Sequence, residues 1–322
     1  MTKRHLLMTG PLMRMVMQQL DAAFEVHRLW EAEDRDGLIA ETGDKIEAIA
    51  VGLHSLVDGP LMSRLPNLKI VANFGVGYDT VDAKWAGEHG IYVTNTPDVL
   101  TEEVADTALG LILATVRQLS ESERYLRAGR WEKDGPFPLS KATLRDRRVG
   151  IVGLGRIGKA IAKRLDAFRV PVVYHGRNEQ ADVDYGYYPD LAKMARDVDI
   201  LVNVAPGGPA THHMINAATL DELGPDGILI NVGRGTVVDE KALVAALKDG
   251  RILSAGLDVF EDEPHVPAEL IEMEHVVLLP HVGSASVFTR NQMGQLCVDN
   301  ITTYFETGKP ITPVAETPIR TG

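Results

Sequence analysis

The chain has 322 residues, more than one hydrophobic core usually organises, so two domains are expected. Hydrophobic residues make up 45% and charged residues 24%, the balance of a globular chain rather than a disordered one. The formal net charge, 33 − 45 = −12, argues against nucleic acid as a partner, because a phosphate backbone is held by an excess of cations.

Met1-Thr2-Lys3-Arg4-His5 leads into only a few apolar residues before Gly10-Pro11, too few for a signal segment. Strands are predicted at His5–Thr9, Phe24–Leu29, Ala48–Gly52, Lys69–Phe74 and Ile91–Asn95. Helix-like stretches such as Met13–Leu20 and Thr80–Gly90 lie between them. This alternation implies βαβ units and a parallel sheet. Thr101 to Arg130 reads as one long helix, with Asp98 or Thr101 able to cap its start and Gly129 able to end it. Its Ala105–Val116 stretch is the most apolar in the chain, yet it is too short for a membrane span and contains Asp106. Trp131 to Thr143, rich in Gly and Pro, reads as a loop.

A second set of strands is predicted at Arg148–Gly153, Val170–Tyr174, Asp199–Ala205, Gly227–Val232, Ser254–Phe260 and Val276–Pro280. These runs are almost wholly apolar, as expected when helices cover both faces of a sheet. Val287 to Gly308 reads as a last helix, and Pro310 and Pro313 mark an irregular tail. Cys297, the only cysteine, rules out an intrachain disulfide and a Cys-based zinc site and reads as a small core residue. The expected fold is α/β, with two Rossmann- or flavodoxin-like domains of parallel sheet. Residues 1–98 with 286–322 form one domain, and 99–285 form the other, inserted into it. A cytoplasmic chain with no membrane partner and no metal site is expected.

Gly153-Leu154-Gly155-Arg156-Ile157-Gly158 sits where the strand Arg148–Gly153 hands over to the helix-forming Lys159–Leu165. A bare GxGxxG is weak, but this context is that of a dinucleotide site. Gly153 permits the tight turn, Gly155 lets the backbone approach a pyrophosphate, and Gly158 lets helix pack on strand. The N–H groups of the helix start then face the anion. An NAD site would carry an acid near the end of the next strand, for the ribose 2′-hydroxyl. This chain has Tyr174-His175-Gly176-Arg177-Asn178 instead. Arg177 can pair with a 2′-phosphate that an acid would repel, so NADP is favoured, with NAD possible.

Arg234, Glu263 and His281 each follow a later apolar strand, at the edge where open α/β sheets bind ligands. Reduction of a carbonyl leaves an alkoxide to be protonated near neutral pH, which suits a histidine. A neighbouring carboxylate fixes the ring and favours its protonated form, so Glu263→Gln is expected to move the pH profile. An arginine can bind a carboxylate and polarise the adjacent carbonyl.

The segments Val149–Gly158, Asn231–Gly235, Gly256–Pro264 and Leu279–Ser284 resemble the D-isomer-specific 2-hydroxyacid dehydrogenases. The likeness extends from the loop Ala72–Asp79 almost to the C-terminus. Phe137-Pro138-Leu139, Tyr187-Tyr188-Pro189 and Tyr174–Arg177 narrow it to the NADPH-preferring glyoxylate/hydroxypyruvate reductases and their hydroxyphenylpyruvate-reducing relatives. The resemblance implies that Arg234 binds the substrate carboxylate and carbonyl, His281 is the general acid/base, and Glu263 is its partner. By the same likeness, the N–H groups of Val76 and Gly77 help hold the carboxylate of a small 2-oxo acid, and Ser284 faces the substrate. Thr107, Arg156, Ile157 and Val232 contact the cofactor, Asp258 meets the nicotinamide carboxamide, and Arg177 with Asn178 binds the 2′-phosphate. Leu53, His54, Val76 and Trp131 shape the substrate pocket, and the Thr101–Thr143 region joins two subunits in a homodimer.

Ala205-Pro206-Gly207-Gly208-Pro209-Ala210-Thr211 departs from the family, with glycines where many relatives have Leu and Thr, so its adenosine contacts are open. Two other readings stay open. One is a D-2-hydroxyacid dehydrogenase that uses NAD, such as one for hydroxyphenylpyruvate, D-lactate or phosphoglycerate. The other is a dinucleotide-sensing corepressor, which binds the cofactor without turnover.

Overall fold

A computed structural model describes residues 3–52 and 55–319. The chain divides into two compact units, Met1–Leu100 with Ser286–Gly322, and Thr101–Ala285.

The first unit is built on β1 (Arg4–Met8), β2 (Phe24–Arg28), β3 (Ile46–Val51), β4 (Ile70–Asn73) and β5 (Tyr92–Thr94). All pair in parallel, in the order β2-β1-β3-β4-β5. Aspartates start three of its helices: Asp34 accepts from Gly37 N, Asp58 from Leu61 N, and Asp82 from Trp85 N. The last helix, Val287–Thr307, belongs to this unit, and Gly308 closes it in the left-handed conformation at φ 77°. Gly294 lies where a Cβ would crowd Val16, so the absent side chain lets this helix approach Arg14–Ala23 closely. Cys297, on this helix, is buried, and burial pushes its thiol up to about 12, as befits a core residue rather than a nucleophile.

The second unit contains β6 (Val149–Val152), β7 (Val172–His175), β8 (Gly186–Tyr188), β9 (Ile200–Asn203), β10 (Ile228–Asn231), β11 (Ser254–Leu257) and β12 (Val277–Leu278). They form one parallel sheet in the order β12-β11-β10-β9-β6-β7-β8. Strand order reverses between β6 and β9, the switch point where open α/β sheets bind ligands. The apolar runs of β9 and β10 are continuous because both faces are covered. Ile200, Val202, Ile228 and Ile230 enter the core shared with the helices Thr101–Val116 and Arg156–Ala167. Leu201 and Leu229 enter a separate core on the opposite face.

Two expectations are corrected. The single helix predicted over Thr101–Arg130 is three, Thr101–Val116, Leu119–Arg127 and Arg130–Asp134. Gln118 at φ 52° and Gly129 at φ 70° are both left-handed, which interrupts the ladder where the apolar run gives way to polar residues. The last of the three also takes in the start of the predicted loop Trp131–Thr143. The edge strand β8 was not foreseen: Gly186 is exposed and Tyr187 and Tyr188 are half-buried, so it lacks the apolar run that marks the other strands. Among the described residues, no helix is long and apolar enough to cross a membrane.

Candidate active site

The turn after β6 shows why its glycines are needed. Gly153 sits at φ 95°, with Ala205 at its back 3.0 Å from where a Cβ would lie. A Cβ on Gly158 would collide with the Gly153 carbonyl, so helix Arg156–Ala167 starts only if that carbon is absent. Gly155 is different. Apart from its chain neighbours, nothing among the described residues lies within 4 Å of its missing Cβ, and it is the N-cap of the same helix. The open space beside the helix N–H groups is what a pyrophosphate would fill, so these residues fit a dinucleotide. Arg156 opens the helix, exposed, and Ile157 follows it, half-buried.

β7 ends at His175 with no acid at its tip, and Arg177 and Asn178 follow, both exposed. Their loop is tied down on both sides. Tyr187 donates its hydroxyl to Gly176 O at 3.1 Å, and Gln180 N donates to the Tyr174 hydroxyl at 2.7 Å. Gln180 Nε2 also donates to Leu154 O at 2.8 Å, which fastens this loop to the glycine turn. The guanidinium is thus carried on a fixed loop beside the turn, where a 2′-phosphate can be met.

His281 and Glu263 come together. His281 Nδ1 donates to Glu263 Oε2 at 2.7 Å, and the side chains are 39% and 16% exposed, so the carboxylate is shielded while the ring reaches solvent. A carboxylate can only accept here, so the hydrogen of this bond is on Nδ1. Phe260 N donates to the other carboxylate oxygen of Glu263 at 3.0 Å, fixing the partner in turn. His281 occupies the left-handed region at φ 52°, a strain of about 1 kcal/mol or more for a non-glycine residue.

Asp258 holds that strain. It is 2% exposed, and its two carboxylate oxygens accept from Val282 N at 2.7 Å and Gly283 N at 2.8 Å. Its carbonyl accepts from His281 N at 2.8 Å. Burial pushes the Asp258 carboxyl above its ordinary range, and the two N–H donors pull the other way. The resemblance had given Asp258 a contact with the nicotinamide; the structure adds the clamping of the His281 turn. Thr107 donates its hydroxyl to Gly283 O at 3.2 Å. The pyrophosphate contact expected of it therefore requires that hydrogen bond to be released. Ser284 and Val232 are both buried.

Arg234 follows β10, half-buried, and its guanidinium donates to Gly233 O at 3.0 Å. Sequence reasoning missed what positions it. Asn203 and Asn231 end neighbouring strands in the same register and are both buried. Asn203 Nδ2 donates to Asn231 Oδ1 at 2.8 Å, and Asn231 Nδ2 donates to Arg234 O at 3.2 Å. The signal was present: two apolar strands, Ile200–Asn203 and Ile228–Asn231, each end in the same buried amide. Gly235 abuts the Phe260 carbonyl so closely that no Cβ fits, which sets the Arg234 turn against the segment leading to Glu263.

In the first unit, Val76 and Gly77 form a turn after β4. Asn95 Nδ2 donates to Val76 O at 2.9 Å, and Asn73 Nδ2 donates to Gly77 O at 2.9 Å. Their carbonyls are thus satisfied, while no acceptor among the described residues takes their N–H groups. Leu53 and His54 lie outside the described residues. Trp131 is 62% exposed on its short helix.

The fold and site define a class, and comparison with known proteins agrees. Residues 109–283 match the family model for the NAD-binding domain of D-isomer-specific 2-hydroxyacid dehydrogenases. The chain is 47% identical over 308 residues to glyoxylate/hydroxypyruvate reductase A HPR2 of Arabidopsis thaliana, covering 96% of this chain and 98% of that one. It is 46% identical over 309 residues to hydroxyphenylpyruvate reductase of Plectranthus scutellarioides, covering 96% and 98%. Among solved structures it resembles the NADPH-dependent glyoxylate/hydroxypyruvate reductase SmGhrB of Sinorhizobium meliloti, in complex with NADP and malonate. That match has 51% identity and a TM-score of 0.94, over 100% of this chain and 99% of the other. The chain belongs to the D-isomer-specific 2-hydroxyacid dehydrogenase family. It is an NAD(P)-dependent oxidoreductase.

Proposed function

We propose that the protein reduces small 2-oxo acids, glyoxylate and hydroxypyruvate foremost, to D-2-hydroxy acids with NADPH. The observation that carries this is the shielded Glu263 carboxylate on His281 Nδ1, at 2.7 Å, which fixes the ring of the residue that delivers the proton. Bound NADPH supplies the hydride to the carbonyl carbon. His281 Nε2 gives its proton to the carbonyl oxygen as negative charge builds there. Glu263 holds the ring in place through Nδ1. Arg234 takes the substrate carboxylate and polarises the carbonyl, and its planar fork suits both tasks. The carboxylate-holding role that the family resemblance gives Val76 and Gly77 suits two N–H groups with no acceptor among the described residues. Ser284 is assigned to the substrate by the same likeness.

The Thr101–Ala285 unit, with Gly153, Gly155, Arg156, Ile157 and Gly158 at its first turn, is assigned to the dinucleotide, and the other unit to the substrate. Thr107, Val232 and Asp258 complete the cofactor contacts. NADPH is preferred over NADH because Arg177 and Asn178 stand where NAD enzymes place an acid. The NADP-bound relative supports this choice. A cytoplasmic homodimer is the assembly we favour. Leu119, Leu126, Trp131 and Leu139 are exposed within a short stretch, Leu139 at 95%, an apolar surface that a second copy would cover. Steady-state rates over glyoxylate, hydroxypyruvate, 4-hydroxyphenylpyruvate and pyruvate, each with NADPH and NADH, test the reading. The highest kcat/KM is expected for one of the first two with NADPH. An NADH preference would assign the protein to the NAD-using branch, and failure to oxidise either cofactor with all four acids would favour a binding protein.

A further inference from the structure

The loop after β9 meets the loop after β11 at a second cluster of side chains, separate from Arg234, Glu263 and His281. His213 Nε2 donates to Glu261 Oε1 at 2.7 Å. The His212 ring lies against that of His213, with centroids 3.9 Å apart and planes inclined at 31°. Ligand atoms of His212, His213 and Glu261 all lie within 4.8 Å of one another, and no other trio of His, Cys, Asp or Glu among the described residues does so.

The backbone arranges this meeting. Gly208, at φ 128°, turns the chain, and Thr211 N and His212 N both donate to its carbonyl, at 3.1 and 3.0 Å. His213 N donates to Thr236 O at 2.9 Å, and His213 itself is left-handed at φ 49°. That conformation costs a non-glycine residue about 1 kcal/mol or more, and here it accompanies two consecutive imidazoles held side by side. On the facing loop, Glu261 N donates to Glu240 Oε2 at 3.3 Å. Glu240 and Asp262 add negative charge nearby. The His213 and Glu261 side chains are 34% and 31% exposed and His212 is exposed, so an ion can approach from solvent.

We propose that His212, His213 and Glu261 form a binding site for a divalent transition-metal ion of the zinc class. Two imidazole nitrogens and one carboxylate oxygen suit Zn²⁺ far better than Mg²⁺ or Ca²⁺, which want oxygen alone. Three protein ligands leave the fourth tetrahedral position to water. The ion takes the place of the proton now shared by His213 and Glu261, and it ties together the two loops. The sequence had suggested no metal; the pair His212-His213 carries no spacing motif, and Glu261 joins it only through the fold. The site stands independently of the reductase reading, because its test reads binding rather than turnover.

Isothermal titration of the EDTA-stripped full chain with ZnCl₂ is expected to show one ion per chain, and MgCl₂ is expected to give no heat over the same range. His212→Ala removes an exposed side chain without disturbing the fold. It is expected to weaken zinc binding by at least about tenfold, the loss seen even for groups that merely support a ligand. Glu261→Gln should do the same, and His89→Ala, at an exposed imidazole elsewhere, should change nothing. Zinc should also raise the melting temperature of the wild type more than that of His212→Ala, since an ion bound only by the folded state stabilises it according to its affinity. Absence of zinc binding, full affinity in both His212→Ala and Glu261→Gln, or an equal loss in His89→Ala would overturn the assignment.

Discussion

Two regions on the carboxyl edge of the seven-stranded sheet are built in opposite ways. The cofactor turn after β6 is local, six residues from Gly153 to Gly158, and it works through what its side chains lack. Gly158 leaves room for a carbonyl, and Gly155 leaves room for a ligand. The acid–base region is assembled from three distant loops, and it works through buried polar groups that hold those loops. Asn231 accepts from Asn203 and donates to Arg234 O, while Asp258 clamps the turn of His281. The first region should be sensitive to added atoms, and the second to a lost hydrogen-bond partner.

The largest effect is expected from His281→Ala, which should lower kcat by about 10²–10⁴ while NADPH binding, followed by fluorescence titration, stays intact. Turnover near the wild-type level would remove His281 from the chemistry. Arg234→Ala should follow, lowering kcat/KM for the 2-oxo acid by about 10²–10³, with the loss only partly restored by Arg234→Lys. Asp258→Asn keeps the shape of the clamp but turns an amide N–H₂ toward a backbone donor. It should lose about 1–3 kcal/mol of stability in urea unfolding, the cost of a buried donor left unmet. An unchanged unfolding midpoint would mean that the His281 turn holds itself. Arg177→Ala should be the mildest. It should raise the KM for NADPH about tenfold, the effect of losing one charged hydrogen bond, and leave the KM for NADH where it was.

Most of the fold was legible because parallel strands covered on both faces must be continuous apolar runs, and eleven such runs were read from the sequence. The glycine turn was legible because its reason is local: a strand, a bend and a helix start adjoin in sequence. β8 escaped because an edge strand of Gly186-Tyr187-Tyr188 buries too little to need that pattern. The helix break at Gln118 escaped because no glycine or proline marks its left-handed turn. Arg234, Glu263 and His281 were nameable as strand-end polar residues, and the family likeness supplied their roles. Their supports were hidden for a physical reason. A buried Asn or Asp reads in sequence like any strand-end polar residue, and only register shows that Asn203 faces Asn231.

The central claim is that this sheet edge delivers hydride from NADPH and a proton from His281 to a 2-oxo acid. It is tested most directly by following the transferred atom. With NADPH deuterated at the transferable position of the nicotinamide and hydroxypyruvate as the acceptor, the product is expected to be the D-2-hydroxy acid carrying deuterium on C2, seen by NMR and chiral chromatography. An L product, or a product without deuterium, would contradict it.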